Sequence, residues 1–280
     1  MIRCLRTIFQ RSYKAFEFWI ALIMEIHKPL RSQLKLWGNL NQASFRREHG
    51  LFLAEGLKVV RELLKSAWKT RALLVLSGSE DHCTNTLSAG LGEIDVYRLS
   101  EKEWRQLSQD KNPEGIIAVA SVPAMPSIAD LPAMQHDRFL LLHEINNPNN
   151  LGALLRTADW FGFRTVLLSA GSVDYTHAKV VRTAMGSLFH LTVVADLDFA
   201  LILPMLRKSC RVVGSNVRGG VIPHTCTGKT ALLFGSESHG LPQHLIDMTD
   251  ECWCIPGTGE AESLSLPQAA AIMMYACAAR

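Results

Sequence analysis

Phe139–Gly162 reads FLLLHEINNPNNLGALLRTADWFG, and three segments of different character follow one another within it. Phe139–Leu142 is an apolar run with the length of a buried strand. Glu144–Asn150 is polar and carries Pro148, the composition of a turn. Behind it Leu151, Leu154, Leu155, Ala158 and Phe161 recur at helical spacing. Strand, turn and helix in that order make the unit from which open α/β sheets are built. Such sheets take their ligands at the carboxyl ends of the strands. Asn150 and Arg156 fall near the start of the helix. An amide that accepts and donates, beside a fixed cation, suits an anionic or ribose-bearing substrate. Taken alone, the stretch reads more simply as a capped helix with one solvated arginine.

The same alternation continues on the carboxyl side. Strands are expected near 139–143, 165–168, 191–195, 211–215, 230–234 and 252–255. Helices are expected over 150–161, 177–187, 198–209 and 265–279, with a short one around 241–247; Pro204 should kink its helix or shift the boundary. The pattern predicts an α/β domain, a mostly parallel sheet covered on both faces. On the amino side, residues 32–123 read as a smaller α/β unit. Its strands are Leu51–Ala54, Ala72–Leu76 and Gly115–Val122, with a helix near Glu55–Ser66 and a capping-box start at Ser100–Glu103. Gln33–His49 is polar and basic, with Trp37, Phe45, Arg46 and Arg47 interleaved. Pro123, Pro126 and Pro132 punctuate the stretch between the two, and 124–137 is taken as a linker ahead of a domain over 138–280.

A chain of 280 residues, 48% of them hydrophobic, has ample material for one large core or two modest ones. A net charge of +3 does not by itself announce a nucleic-acid binder. The distribution says more: residues 32–70 carry seven Lys/Arg against three acids, a surface that suits phosphate backbones and equally a solvated helix face. Seven scattered cysteines without framework spacing point to reduced thiols and a cytoplasmic protein. Residues 1–31 form a basic extension whose apolar run, Phe16–Met24, is interrupted by Glu17 and is too short to span a bilayer. An organelle-targeting leader and a true start at Met24 both stay open for it.

Two further segments turn the reading towards chemistry. Leu232–Leu241 reads LLFGSESHGL, and Ile255-Pro256-Gly257-Thr258-Gly259 is followed by Glu262-Ser263-Leu264-Ser265-Leu266. Together with Pro148, Asn150, Gly152 and Arg156, they carry Gly235, Glu237, Gly240, Ile255, Pro256, Ser263 and Leu264 in order. This set resembles the three signature motifs of the SpoU/TrmH family of RNA ribose methyltransferases, over roughly residues 32–280. The resemblance implies a deep trefoil knot in the parallel sheet domain, which alternation alone could not suggest. It also implies a homodimer with active sites at the subunit interface, S-adenosylmethionine as methyl donor, and structured RNA, ribosomal or transfer, as substrate. Residues 32–123 are similar to the family's RNA-binding domain, itself like small ribosomal proteins.

Carried onto these positions, the resemblance makes Asn150, Arg156, Glu237 and Ser263 the catalytic set. The backbone at Gly235, Ile255 and Leu264 borders the donor, joined by Gly214, Ser215, Pro256, Ser263 and Ser265. Glu237 is expected to orient Asn150 or Arg156, since one carboxylate beside a guanidinium makes a rigid pair. Arg156 stays protonated, so its expected role is to grip phosphate and stabilise a developing alkoxide. Arg46, Arg47, Lys58 and Arg61 are the candidates for phosphate contacts, each equally readable as ordinary surface charge. Ser265 and Asn147 stand where the family usually has Asn and Asp.

Three other readings are open to the sequence. Thr227-Gly228-Lys229-Thr230 mimics the end of a phosphate-binding loop, but Pro223 stands where that motif needs glycine. The histidines and cysteines are too sparse to predict a metal site. The competing class is a catalytically silent RNA-binding protein that keeps the knotted fold.

Overall fold

The computed structural model describes residues 26–80, 94–126 and 137–279, and the chain divides into two compact units, Met1–Pro123 and Ala124–Arg280. In the first unit, β1 (Ile26–His27) precedes α1 (Arg31–Asn39), α2 (Ala43–His49), β2 (Leu51–Glu55) and α3 (Leu57–Lys65). Then come β3 (Thr70–Leu76), β4 (Asp95–Leu99), α4 (Glu101–Leu107) and β5 (Ile116–Ser121). The sheet order is β1-β4-β3-β5-β2; β1, β4 and β3 run parallel, and β5 is antiparallel to both β3 and β2. On one face Trp37 and Leu40 of the α1 segment and Trp104 and Leu107 of α4 bury against Leu53, Leu74, Leu99, Ile117 and Val119. Ile26 and His27, inside the stretch read as an extension, add an edge strand by pairing with Val96 and Tyr97. Residues 1–25, Met24 included, lie outside the described residues, as does most of the expected linker.

The second unit runs β6 (Arg138–Leu142), α5 (Pro148–Phe161), β7 (Thr165–Ser169), α6 (Ala178–Ala184) and β8 (Thr192–Leu197). It continues with α7 (Phe199–Leu206), β9 (Arg211–Ser215), β10 (Thr230–Phe234), α8 (Gln243–Ile246), β11 (Glu251–Trp253) and α9 (Leu266–Ala278). All six strands are parallel, in the order β11-β9-β10-β6-β7-β8. Phe139, Leu141, Leu167, Ala231 and Leu233 face one way, onto Phe199, Ile202, Leu203 and Leu206 of α7 and Leu245 of α8. Their neighbours in sequence, Leu140, Leu142, Val166, Leu232 and Phe234, point the other way and are equally buried. On that side α5 packs against α6 and α9. Burial on both faces explains why the strands read as unbroken apolar runs.

Some boundaries differ from those expected. α6 ends at Ala184 rather than 187, because Met185 and Gly186 take positive φ (54° and 97°) and lead into a 3₁₀ turn. Pro204 stays inside α7, which ends two residues later at Leu206 instead of 209. The last strand is 251–253, not 252–255.

Candidate functional site

β6 and β10 are neighbours in the sheet, yet the chain leaves them towards opposite faces: β6 leads to α5, and β10 to α8. A parallel sheet opens a crevice at such a point, beyond the carboxyl ends of the strands. Two turns line it. The first, 143–147, is stitched to its surroundings: Glu144 N–H donates to Ser169 Oγ at 2.8 Å, Ile145 N–H to Ser172 Oγ at 3.2 Å, and Val173 N–H to Ile145 O at 2.8 Å. Asn147 caps α5 by accepting from Asn149 N–H at 2.9 Å, with Pro148 at the first helical position. The helix axis is therefore fixed before any functional residue is reached.

Asn150 sits in the first turn of α5, and its Nδ2 donates to Glu237 Oε2 at 2.8 Å, across 87 residues of sequence. A carboxylate can only accept, so the amide nitrogen must face it and the amide oxygen faces away. Of the two partners expected for Glu237, the structure joins Asn150. Arg156 lies about 9 Å further along the helix, is exposed, and has no hydrogen bond or ion pair among the described residues. The second turn, after β10, closes tightly: Gly240 N–H donates to Ser236 O at 2.9 Å and His239 N–H to Ser236 Oγ at 3.3 Å.

A third segment joins β11 to α9. Among the described residues, no backbone N–H from Ile255 to Leu264 donates to another group of the chain, and Pro256–Ser265 are exposed. A β-carbon at Gly257 or Gly259 would meet nothing within 4 Å. Open amides at the carboxyl edge of a sheet are what a purine and an amino-acid carboxylate need for hydrogen bonding. Ser265 occupies the N-cap position of α9, but its side chain makes no capping bond and is free to turn outward. Behind this segment the 216–229 loop lies across the chain: Val221 N–H donates to Cys252 O and Cys254 N–H to Val221 O, both at 2.9 Å. Further along, the His224 ring meets Trp253 with ring centres 5.1 Å apart and planes inclined at 59°, and Cys226 N–H donates to Cys277 O at 3.3 Å.

Comparison with known proteins bears on the same residues. The model of the SpoU rRNA Methylase family matches residues 137–275, and that of an MRM3-like substrate binding domain matches 31–118. The 23S rRNA (guanosine(2553)-2′-O)-methyltransferase RlmP of Bacillus subtilis is 30% identical over 255 residues, 90% of this chain and 98% of that one. The chain belongs to the SpoU rRNA methylase family. Another relative, the 23S rRNA (guanosine-2′-O-)-methyltransferase RlmB of Pectobacterium atrosepticum, is 26% identical and covers 79% of this chain and 94% of its own. The AdoMet-bound rRNA methyltransferase from Sinorhizobium meliloti superposes with a TM-score of 0.75 at 26% identity, over 90% of this chain and 96% of that one.

Seen as SpoU motifs, several glycines serve the fold. A β-carbon on Gly235 would lie 2.1 Å from the carbonyl of Gly240, so its missing side chain makes room for the turn's own backbone rather than for a ligand. Gly152 admits Val180 O and Thr183, and Gly214 is filled by Thr249, Cys252 and Leu241. His143, on the turn leaving β6, has its pKa lowered by burial; the His244 charge adds to this and the Glu144 carboxylate opposes it. In the amino-terminal unit, Arg47, Lys58 and Arg61 are exposed without partners among the described residues. Arg46 is not a surface phosphate contact. It is 3% exposed and its Nη1 donates to Leu40 O at 2.9 Å and Asn41 O at 3.1 Å, holding the turn between α1 and α2. Among the described residues no cluster of three His, Cys, Asp or Glu is placed to hold a metal, and no helix is long and apolar enough to cross a membrane.

Proposed function

We propose that this chain methylates a ribose 2′-hydroxyl of ribosomal RNA, with S-adenosylmethionine as donor. The carrying observation is the Asn150–Glu237 hydrogen bond, which locks two family motifs together at the crevice of the parallel sheet. The 23S rRNA named for RlmP and RlmB, and the donor named for the Sinorhizobium structure, support the substrate and the cofactor. The donor fits this chain: the open amides of 255–264, with the strand ends at Ser215 and Gly235, offer a cradle of backbone donors and acceptors. When bound, it supplies a sulfonium methyl open to in-line attack by an oxygen. Glu237 fixes the Asn150 amide, which holds the ribose so that its 2′-oxygen is aligned with the methyl. Arg156 grips the adjoining phosphate and stabilises the developing alkoxide, while water or a phosphate oxygen takes the proton. Ser263, exposed on the third motif, holds the nucleotide or the donor's carboxylate end.

The same reading assigns 32–123 to RNA binding, 124–137 to a linker and 138–280 to catalysis, in the cytoplasm. A trefoil knot is supported by the 216–229 loop, which pairs with β11 and reaches the last turn of α9. A homodimer is supported by Trp160, Tyr275 and Ile272, respectively 84%, 64% and 42% exposed on α5 and α9. The test is calorimetric titration with S-adenosylmethionine, paired with transfer of labelled methyl to ribosomal RNA. Wild type should bind saturably and transfer; Arg156→Ala should bind the donor normally and lose transfer by at least about a hundredfold. No donor binding by wild type would leave the silent RNA-binding alternative standing.

A further inference from the structure

The amino-terminal unit carries a groove of about 460 Å³ lined by Arg31, Leu34, Lys35, Gly38, Asn39 and Gln106. The first five recur at i, i+3, i+4, i+7 and i+8 and so share one face of α1; Gln106 comes from α4. We propose that this groove seats a single-stranded stretch of RNA backbone. The inference rests on the reading of the chain as an RNA methyltransferase and extends it to how the substrate is held.

Three observations carry it. The charges are unspent: neither Arg31 nor Lys35 has a hydrogen-bond or ion-pair partner among the described residues, and no acid lines the groove. They stand about 6 Å apart along the helix, a spacing suited to successive phosphates. The amides of Asn39 and Gln106 are likewise unpaired among the described residues, and amides both donate to phosphate oxygens and accept from ribose hydroxyls. Gly38 is the second observation. Glycine in a helix interior is destabilising relative to alanine. Here neither backbone nor packing demands it, because its φ is not positive and an added β-carbon would lie 4.0 Å from Gln106 O, an ordinary contact. What a side chain would fill is the floor of the groove.

The walls, third, are pre-set. Buried Arg46 fixes the carbonyls of Leu40 and Asn41, Asn41 Nδ2 donates to Leu107 O at 3.5 Å, and Gln109 Nε2 donates to Asn41 Oδ1 at 3.0 Å. The end of α1 is thereby tied to the end of α4. Binding then costs little reorganisation.

The test uses the full chain and a fluorescein-labelled single-stranded oligouridylate, followed by anisotropy across a salt series. Arg31→Ala/Lys35→Ala should weaken binding about tenfold and flatten the log–log salt slope by about 1.4, two single-strand contacts at about 0.7 each. Gly38→Leu should weaken binding with a melting temperature no lower than wild type, and Gly38→Ala should melt at the same temperature or higher. Unchanged affinity and slope in the double variant would overturn the proposal. Donor titration of the same samples separates the two readings. A wild type that ignores S-adenosylmethionine but shows these RNA effects loses the enzyme assignment and keeps the groove; normal donor binding with RNA binding unaltered in the variants does the reverse.

Discussion

A β-carbon added at Gly235 would sit 2.1 Å from the Gly240 carbonyl, because the chain after β10 doubles back and bridges Ser236 to Gly240. Even alanine must push that backbone apart, at an overpacking cost of about 1–3 kcal/mol. Gly235→Ala should therefore lower the urea midpoint as well as donor affinity; a variant of unaltered stability would show that the turn has slack. His143 gives a second residue-scale expectation. Burial holds its pKa below the ordinary 6.5, so the folded chain keeps it neutral while the unfolded chain protonates. Between 6.5 and the lower folded value the unfolded state binds more protons, so stability falls as pH drops through that window. His143→Gln should lose less stability than wild type in urea unfolding compared at about pH 7.5 and 5.5. The motifs were legible at this scale because Asn150, Glu237 and the 255–265 segment carry their chemistry in residue type. Which partner Glu237 takes was not, since an amide and a guanidinium both satisfy a carboxylate. Arg46 misled for a related reason: a basic run does not reveal which member turns inward.

α4 shows an element whose start was spelled out in the chain. Ser100 N–H donates to Glu103 Oε2 at 2.8 Å and Glu103 N–H to Ser100 Oγ at 3.4 Å, closing the capping box read from sequence. Ser100 Oγ–H also donates to Glu103 Oε2, at 2.6 Å, and this bond, ahead of that from Ser100 N–H, lowers the Glu103 pKa. Because α4 delivers Trp104 and Leu107 to the core, Ser100→Ala should cost about 1 kcal/mol in chemical denaturation. Retention of full stability would mean that packing alone holds the helix. α1 and α2 were not legible as helices. They are only nine and seven residues long, α1 is interrupted by Gly38, and α2 bears three basic side chains in its last turn. Their order comes from Trp37 and Leu40 packing and from Arg46 bonding the turn, which are contacts with distant residues. β4 escaped for the opposite reason: only Val96 and Leu99 of its five residues are buried, too sparse for a strand signal. The short α6 was set by tertiary contact too, where Thr183 fills the space above Gly152.

At the scale of the molecule, alternation predicted a parallel sheet but not the neighbours of each strand. The apolar runs of β6, β7 and β10 are interchangeable to the hydrophobic effect, so placing β10 beside β6 depends on connections that periodicity does not encode. That placement makes the crevice, and the crevice raises the question of Arg156. In its own chain the guanidinium has no partner among the described residues, while Glu237 is engaged by Asn150. Arg156 shares a face of α5 with Trp160, four residues on, and Trp160 is 84% exposed. Phe161 meets Tyr275 of α9 at 6.1 Å between ring centres, continuing the aromatic surface. In the homodimer proposed above, this face would be covered by the other copy, and Arg156 would then serve that copy's site. Trp160→Glu should halve the mass measured by light scattering and abolish methyl transfer, although the Asn150–Glu237 contact lies elsewhere on the helix. Mixing two inactive variants decides whether the site is shared. Arg156→Ala and Glu237→Ala chains, unfolded and refolded together, should form mixed dimers in which one site has both residues intact. At random pairing, about a quarter of wild-type activity should return; if each chain supplies its own arginine, none will.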